Sequence, residues 1–306
     1  MTAAFAEVAD RVWVYASDGG PNSGVILGDD GIMVVDGQPN AAAAADLADR
    51  IAALGRGPVT SVALTHFHAS RWAHVDVFPG AALITSRKCR TEMLHRGAGE
   101  LEVAHLRDGV DFSTGGLTAP PDARLAFKSG LSVFLGGRKV EILHFGRGHT
   151  SGDAVVWVQD AGVLFTGDLV EREATPFVGD AAAPEWISTL DRLAPYRPSV
   201  MVPGRGGATD GAEAALAAFA DQRAFIEELW ALGARASDAA GDLPGVIRHM
   251  HENASPAMKA TPLWKARLPF AAARMMDVAA GASIPKIWTP DRVREALAAY
   301  REALPY

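Results

Sequence analysis

Cysteine is nearly absent from this 306-residue chain: Cys89 stands alone. That excludes an intramolecular disulfide and a cysteine-rich zinc site, and it fits a reducing compartment. Positive charge is also short, with 29 Lys and Arg against 36 Asp and Glu and a net charge of −7. Without a general basic surface, binding to a nucleic-acid backbone is not expected. No apolar run reaches membrane length, and the opening MTAAFAEVADRVWVY has no basic segment followed by a continuous apolar stretch. The expectation is a cytoplasmic protein without a membrane partner. Internal repeats are missing too, and Gly19-Gly20 and Gly136-Gly137 mark turns outside any phosphate-binding fingerprint.

What is present is ordinary globular composition, 49% hydrophobic and 21% charged. Residues 11–15, 24–28 and 32–36 are short β-branched runs separated by turn residues, which predicts an antiparallel meander. Residues 40–54 switch to helical spacing, with Asn40 as N-cap and Leu47, Ile51 and Leu54 on one face. The run 59-VTSVALTH-66 is a strand ending in histidine. A second β-rich half follows, with a helix at 87–96 and strands near 131–135, 139–145, 154–158 and 162–166. From residue 184 the chain is mainly helical, at 185–194, 210–233, 243–251 and 291–303, interrupted by a strand at 199–202 that runs into PGRGG. The proline-spaced segment 255–290 carries Trp264, Phe270 and Trp288 and should pack back on the body, over the site.

His66 and His68 lie two apart at the extended end of a strand, so both imidazoles point to one side and suit a shared metal. His149 sits in 146-GRGHTSGD-153, a loop between two strands, and Asp168 follows a strand directly in 164-LFTGDLV-170. Strand ends of this kind are where α/β folds gather their sites. Three imidazoles with a fourth position left for water is the arrangement of a catalytic zinc site. Other candidates have plainer readings. His144 caps a strand, Ser70 lacks a Gly-x-Ser-x-Gly elbow, and Glu171, Arg172 and Glu173 read as a solvated loop. His66 itself reads as a loop-end residue outside the core.

The order THxH, GHTxGD, FTGDL and PGxG, after a meander containing VVDG, resembles the metallo-β-lactamase superfamily over about residues 8–210. The resemblance implies an α/β fold, a metallo-β-lactamase-like αββα sandwich with a C-terminal helical extension. Residues 1–210 would form the first unit, with 211–306 packed on the same body. It also implies that His66, His68 and His149 hold one metal, zinc in the usual case, and that Asp168 matches the aspartate that commonly bridges two. The departures lie in the second site. Ser70 stands where the family has Asp, Arg71 where it usually has His, and Arg205 where it has the His of PGHG; His74 falls where a small residue is common.

A guanidinium has no lone pair to offer a cation, so Arg71 and Arg205 cannot be ligands. The sequence therefore predicts one zinc per chain, with Arg71, Arg205 and Asp168 as catalytic residues and both arginines paired with Asp168 or with an anion in place of the second metal. The expected activity is hydrolysis of a small ester, thioester, lactone or amide. A second reading stays open: a metal-free or non-catalytic protein of the same fold, whose arginines and histidines bind an anionic small molecule.

Overall fold

The pairing of neighbouring strands follows from the turn-rich first thirty-six residues. In the computed structural model, which describes residues 3–305 except 18, 98 and 113–114, β1 (Ala4–Ala9), β2 (Val12–Ala16), β3 (Ser23–Leu27) and β4 (Ile32–Val35) form an antiparallel meander. The sheet continues in parallel through β5 (Val59–Ala63), β6 (Ala82–Ser86) and β7 (Leu125–Phe127). A second sheet holds β8 (Gly130–Leu135), β9 (Arg138–Leu143), β10 (Val155–Val158) and β11 (Val163–Gly167) in antiparallel order. It closes with β12 (Val200–Pro203), parallel to β11.

Side-chain alternation builds the layers. Val25, Val34 and Val62 face one way and join Leu47 and Ile51 of α1 (Ala41–Ala53), whose first turn is capped by the Asn40 side chain accepting from Ala43 N at 2.9 Å. Their neighbours Ile26, Met33, Val35 and Ala63 face the other way and meet Val156, Val163 and Phe165 of the second sheet. Because both faces of β3 and β4 are covered, those strands read as continuous apolar runs rather than alternating ones. The result is the αββα sandwich.

The remaining helices are α2 (Ala69–Trp72), α3 (Arg87–Arg96), α4 (Gly99–Asp108), α5 (Ala183–Leu193) and α6 (Ala212–Ala239), then α7 (Leu243–Asn253), α8 (Pro256–Ala260), α9 (Trp264–Ala279) and α10 (Pro290–Ala303). Among the described residues, no helix is long and apolar enough to cross a membrane.

Several of these elements are not visible in the sequence pattern. β1 is an edge strand, largely exposed, with little alternation to mark it. In α4 only Glu100, Val103 and Ala104 are buried, so its helical stripe is faint. Helix α9 carries Pro269 in its interior, which normally breaks a helix. Here the helix persists because Leu268, Phe270 and Ala272 around the proline are fully buried, so packing outweighs the local cost.

Val155, Leu164 and Met201 on the outer face of the second sheet share a buried cluster with Trp186 of α5, Ile226 and Leu229 of α6, Met250 of α7 and Leu268 of α9. We propose that residues 211–306 are an obligatory fourth layer and not a separable unit. A chain ending at Asp210 would uncover that sheet face, so it should be recovered aggregated or without a cooperative unfolding transition when followed by circular dichroism against denaturant. A soluble truncation that unfolds cooperatively would contradict this.

Candidate metal centre

Four short parallel segments end at one edge of the sandwich, and each delivers part of the site. Asp36 follows β4, and His66 and His68 follow β5. Asp168 follows β11, and Arg205 follows β12. His149 arrives on the loop between β9 and β10. That loop is closed by Asp153, which accepts from Thr150 N at 2.8 Å and from Thr150 Oγ1 at 2.7 Å. Chain direction thus gathers residues from two sheets without any long loop.

His66, His68, His149 and Asp168 each offer one ligand atom, and those atoms lie within 4.8 Å of one another. The three imidazoles pack edge to face, with centroids 4.7 to 4.9 Å apart. All four residues are buried. The loop-end, non-core placement expected for His66 is therefore corrected: it is fully buried, packed against the other two rings.

The outward nitrogen of each ring has an oxygen beside it. His66 Nδ1 lies 2.9 Å from Thr65 Oγ1, which also donates to Asp36 at 2.7 Å. His68 Nε2 lies 3.0 Å from Asp180, and His149 Nδ1 lies 3.5 Å from Asp153. An outer oxygen that takes the ring N–H fixes the tautomer and turns the other nitrogen's lone pair inward, which is how metal-binding histidines are held. Nε2 of His66 and of His149 point at Asp168 Oδ2, 3.5 and 3.9 Å away, and neither has a hydrogen-bond partner. Buried nitrogens left this way are costly unless something fills the space between them. The donor set fits a zinc ion through His66 Nε2, His149 Nε2 and the inner nitrogen of His68.

Electrostatics agree with that fit for two of the three rings. Burial holds His66 well below the ordinary histidine range and brings His68 down to about 3, so both rings stay neutral and keep a lone pair. Burial also opposes charge on His149, but Asp153 and Asp168 outweigh it and raise that ring. Burial would push Asp168 up, yet Arg71, then His66 and His149, hold it well below the usual carboxylate range. Burial lifts Asp36 to about 6, with Arg71 and Thr65 opposing. One guanidinium thus faces two carboxylates, a balance that leaves room for a cation.

Arg71 lies within this network and is completely buried. It pairs with Asp168, donates to Asn22 O at 3.2 Å and Gly204 O at 3.3 Å, and lies 3.6 Å from Asp36. Gly204 is required there, because a Cβ at that position would overlap the Asp168 carboxylate.

The expected pairing of Arg205 with Asp168 is corrected. Its Nε lies 3.0 Å from Glu171 Oε1 and its Nη1 donates to Gly19 O at 3.1 Å, so it does not pair with Asp168. The reason is that Glu171, read from sequence as part of a solvated loop, is buried and draws both Arg205 and Arg267. Ser70 is buried at the start of α2, beside the site. His144 Nδ1 lies 2.7 Å from Asp153 O, a structural role, and His74 is buried beside Gly116, away from the cluster.

Sequence reasoning also missed residues of the site. Asp180 holds His68 on one oxygen and Arg96 at 2.8 Å on the other, and the Arg96 guanidinium lies 4.1 Å over the Phe67 ring. Arg107 lies 4.6 Å over Phe177, which itself packs against His68. These residues sit in segments without motif spacing, so no local signal marked them.

Fold and site together define a four-layer α/β protein with a candidate metal centre at the shared edge of its two sheets. The sequence profile of the metallo-beta-lactamase superfamily matches residues 16–205, and the chain belongs to that superfamily. A metallo-beta-lactamase type 2 of Bacillus sp. (strain 170) is 27% identical over 221 residues, 68% of this chain and 78% of that protein. The enzyme of the same name from Bacillus cereus is 24% identical over the same shares. Among solved structures, a metallo-beta-lactamase from Pontibacter korlensis superposes with a TM-score of 0.60 at 18% identity, covering 74% of this chain and 99% of that one. The DIM-1 metallo-beta-lactamase gives 0.57 at 18% identity, covering 74% and 98%. At these identities the structures speak for the fold.

Removing Arg71 should be among the most damaging single changes. Arg71→Met would leave Asp168 and Asp36 buried without their cation, at about 3–5 kcal/mol. Urea unfolding of the metal-free protein should register that loss. A variant as stable as the parent would mean that the pair holds nothing together.

Proposed function

We propose that this protein is a hydrolase that works with one zinc ion, held by His66, His68 and His149 with Asp168 beside them, on a small ester, thioester, lactone or amide. The observation that carries the reading is that His66 and His68 hydrogen-bond outward to Thr65 and Asp180, with His149 Nδ1 3.5 Å from Asp153, while one ligand atom from each ring and one from Asp168 lie within 4.8 Å of one another. The metallo-beta-lactamase names of the relatives add weight to acyl chemistry, since a lactam is an amide.

Zinc bound there supplies Lewis acidity and a water that ionises near neutral pH. The protein's own residues do the rest. Asp168, kept anionic by Arg71, offers Oδ2 to orient that water and accept its hydrogen bond. Arg71 supplies fixed positive charge where relatives of the superfamily carry ligands of a second metal, and being fully enclosed it acts through Asp168 and not on substrate. Arg205 lines the same cell as His68, His149 and Asp168, and its guanidinium is suited to hold negative charge of the substrate at the edge of that cell.

One observation favours the alternative of a metal-free binding protein: Arg71 already neutralises Asp168 in its buried setting. Elemental analysis of protein purified without added metal separates the two. We expect about one zinc per chain, lost in His149→Ala, and hydrolysis of an aryl ester, thioester, lactone or β-lactam that a chelator abolishes and zinc restores. Two equivalents of metal would end the single-site reading. No metal and no hydrolysis across the panel would favour the binding protein.

A further inference from the structure

The cell bounded by His68, His149, Asp168 and Arg205 encloses about 10 Å³, room for roughly one water. The body of a reacting molecule must lie elsewhere. A cavity of about 420 Å³ adjoins it and shares Ser70, Arg107, Asp108, Arg205 and Arg267 with the cell. That volume suits a small organic ligand. Its other walls include Pro21, Pro39, Val110, Leu263 and Ala266, which are apolar.

The charges on the shared wall are unevenly paired. Arg107 is answered by Asp108 at 2.7 Å and lies 3.9 Å from Glu100. Arg205 and Arg267 share a single carboxylate, that of Glu171, whose side chain is wholly buried. Arg267 further donates to Thr175 O and Arg205 to Gly19 O, both neutral acceptors. Within this trio two guanidiniums divide one carboxylate at the cavity wall. Arg205 Nε also remains without an aligned hydrogen bond despite its closeness to Glu171. Burial, and then repulsion from Arg267, make the charge on Arg205 harder to hold. A single negative charge placed between the two would relieve all of this.

We propose that the 420 Å³ cavity is the substrate chamber and that Arg205 and Arg267 bind a carboxylate there, so the substrate is a small monoanion with an apolar body and its scissile carbonyl directed into the metal cell. Arg267 comes from α9, which makes the helical extension a specificity element. The catalytic part of this rests on the metal-centre reading above; the anion site does not.

Phenylacetate and its neutral counterpart phenylacetamide are suitable probes, titrated calorimetrically into the full-length protein as purified, with sulfate at equal ionic strength as a control. Phenylacetate should bind, and phenylacetamide and sulfate at least about tenfold more weakly, because the first lacks the charge and the second the apolar body. Arg267→Gln leaves Glu171 and Arg205 paired one to one, so it should stay folded and weaken phenylacetate by at least about tenfold. Ala266→Phe, at an exposed position on the cavity wall, should block the chamber without touching any charge. His149→Ala, which breaks the metal centre, should leave phenylacetate binding within about twofold. Equal binding of the amide, or of sulfate, would overturn the proposal. So would binding that survives Arg267→Gln and Ala266→Phe but disappears in His149→Ala, since the carboxylate would then sit on the metal; that outcome would leave the hydrolase reading standing. Retained phenylacetate binding in a protein that holds no zinc would do the reverse.

Discussion

The buried contact between Arg71 and Asp168 is the constraint on which the rest of this protein's site depends. Both charges are buried, and each is tolerable there because the other is held against it. Holding them there requires backbone to approach closely on two sides. Gly204 presents a carbonyl to the guanidinium and has no Cβ to collide with the carboxylate. Gly37 N donates to the Arg71 carbonyl at 2.7 Å and so ties the start of α2 to the end of β4. The pair thereby fastens the edges of both sheets together at the place where the three histidines meet.

Seen from that contact, the site has a direction. On the histidine side, two carboxylates face one guanidinium, which favours a cation between the rings. On the chamber side, two guanidiniums face one carboxylate, which favours an anion. A molecule with a carboxylate at one end and an electrophilic carbonyl at the other would be oriented by this field before any close contact forms, because low-dielectric walls weaken screening. The enclosed cell would then receive only the reacting group, while the apolar body stays among Pro21, Val110 and Leu263.

The helical extension is part of this logic. It covers the outer face of the second sheet, and its α9 also reaches the site through Arg267, which meets Glu171 from the loop after β11. Helix α4 contributes Arg107, which lines the same two cavities and is set over Phe177. Layers added for burial therefore also wall the site, and a substitution in either helix can alter binding without altering the metal ligands.

Much of the architecture was readable because it rests on local pattern. The Asn40 cap and the Leu47 and Ile51 stripe specify α1 from adjacent residues, and the β-branched runs of β2 to β4 and β9 to β11 announce themselves against their turns. The motif order was equally local, and it placed His66, His68 and Asp168 just past strand ends and His149 on a loop between strands, positions that the structure brings together. What the sequence could not specify were pairings between charges far apart in the chain. Asp180 reaches His68 across 112 positions, and Arg267 reaches Glu171 across 96. An isolated aspartate or arginine carries no spacing that distinguishes a buried partner from a solvated surface group. For the same reason Glu171 looked exposed and Arg205 looked bound for Asp168. The sequence by itself determined which elements form and which residues stand at their ends; only the tertiary structure decided which charge answers which, because burial depends on what the rest of the chain lays over each residue.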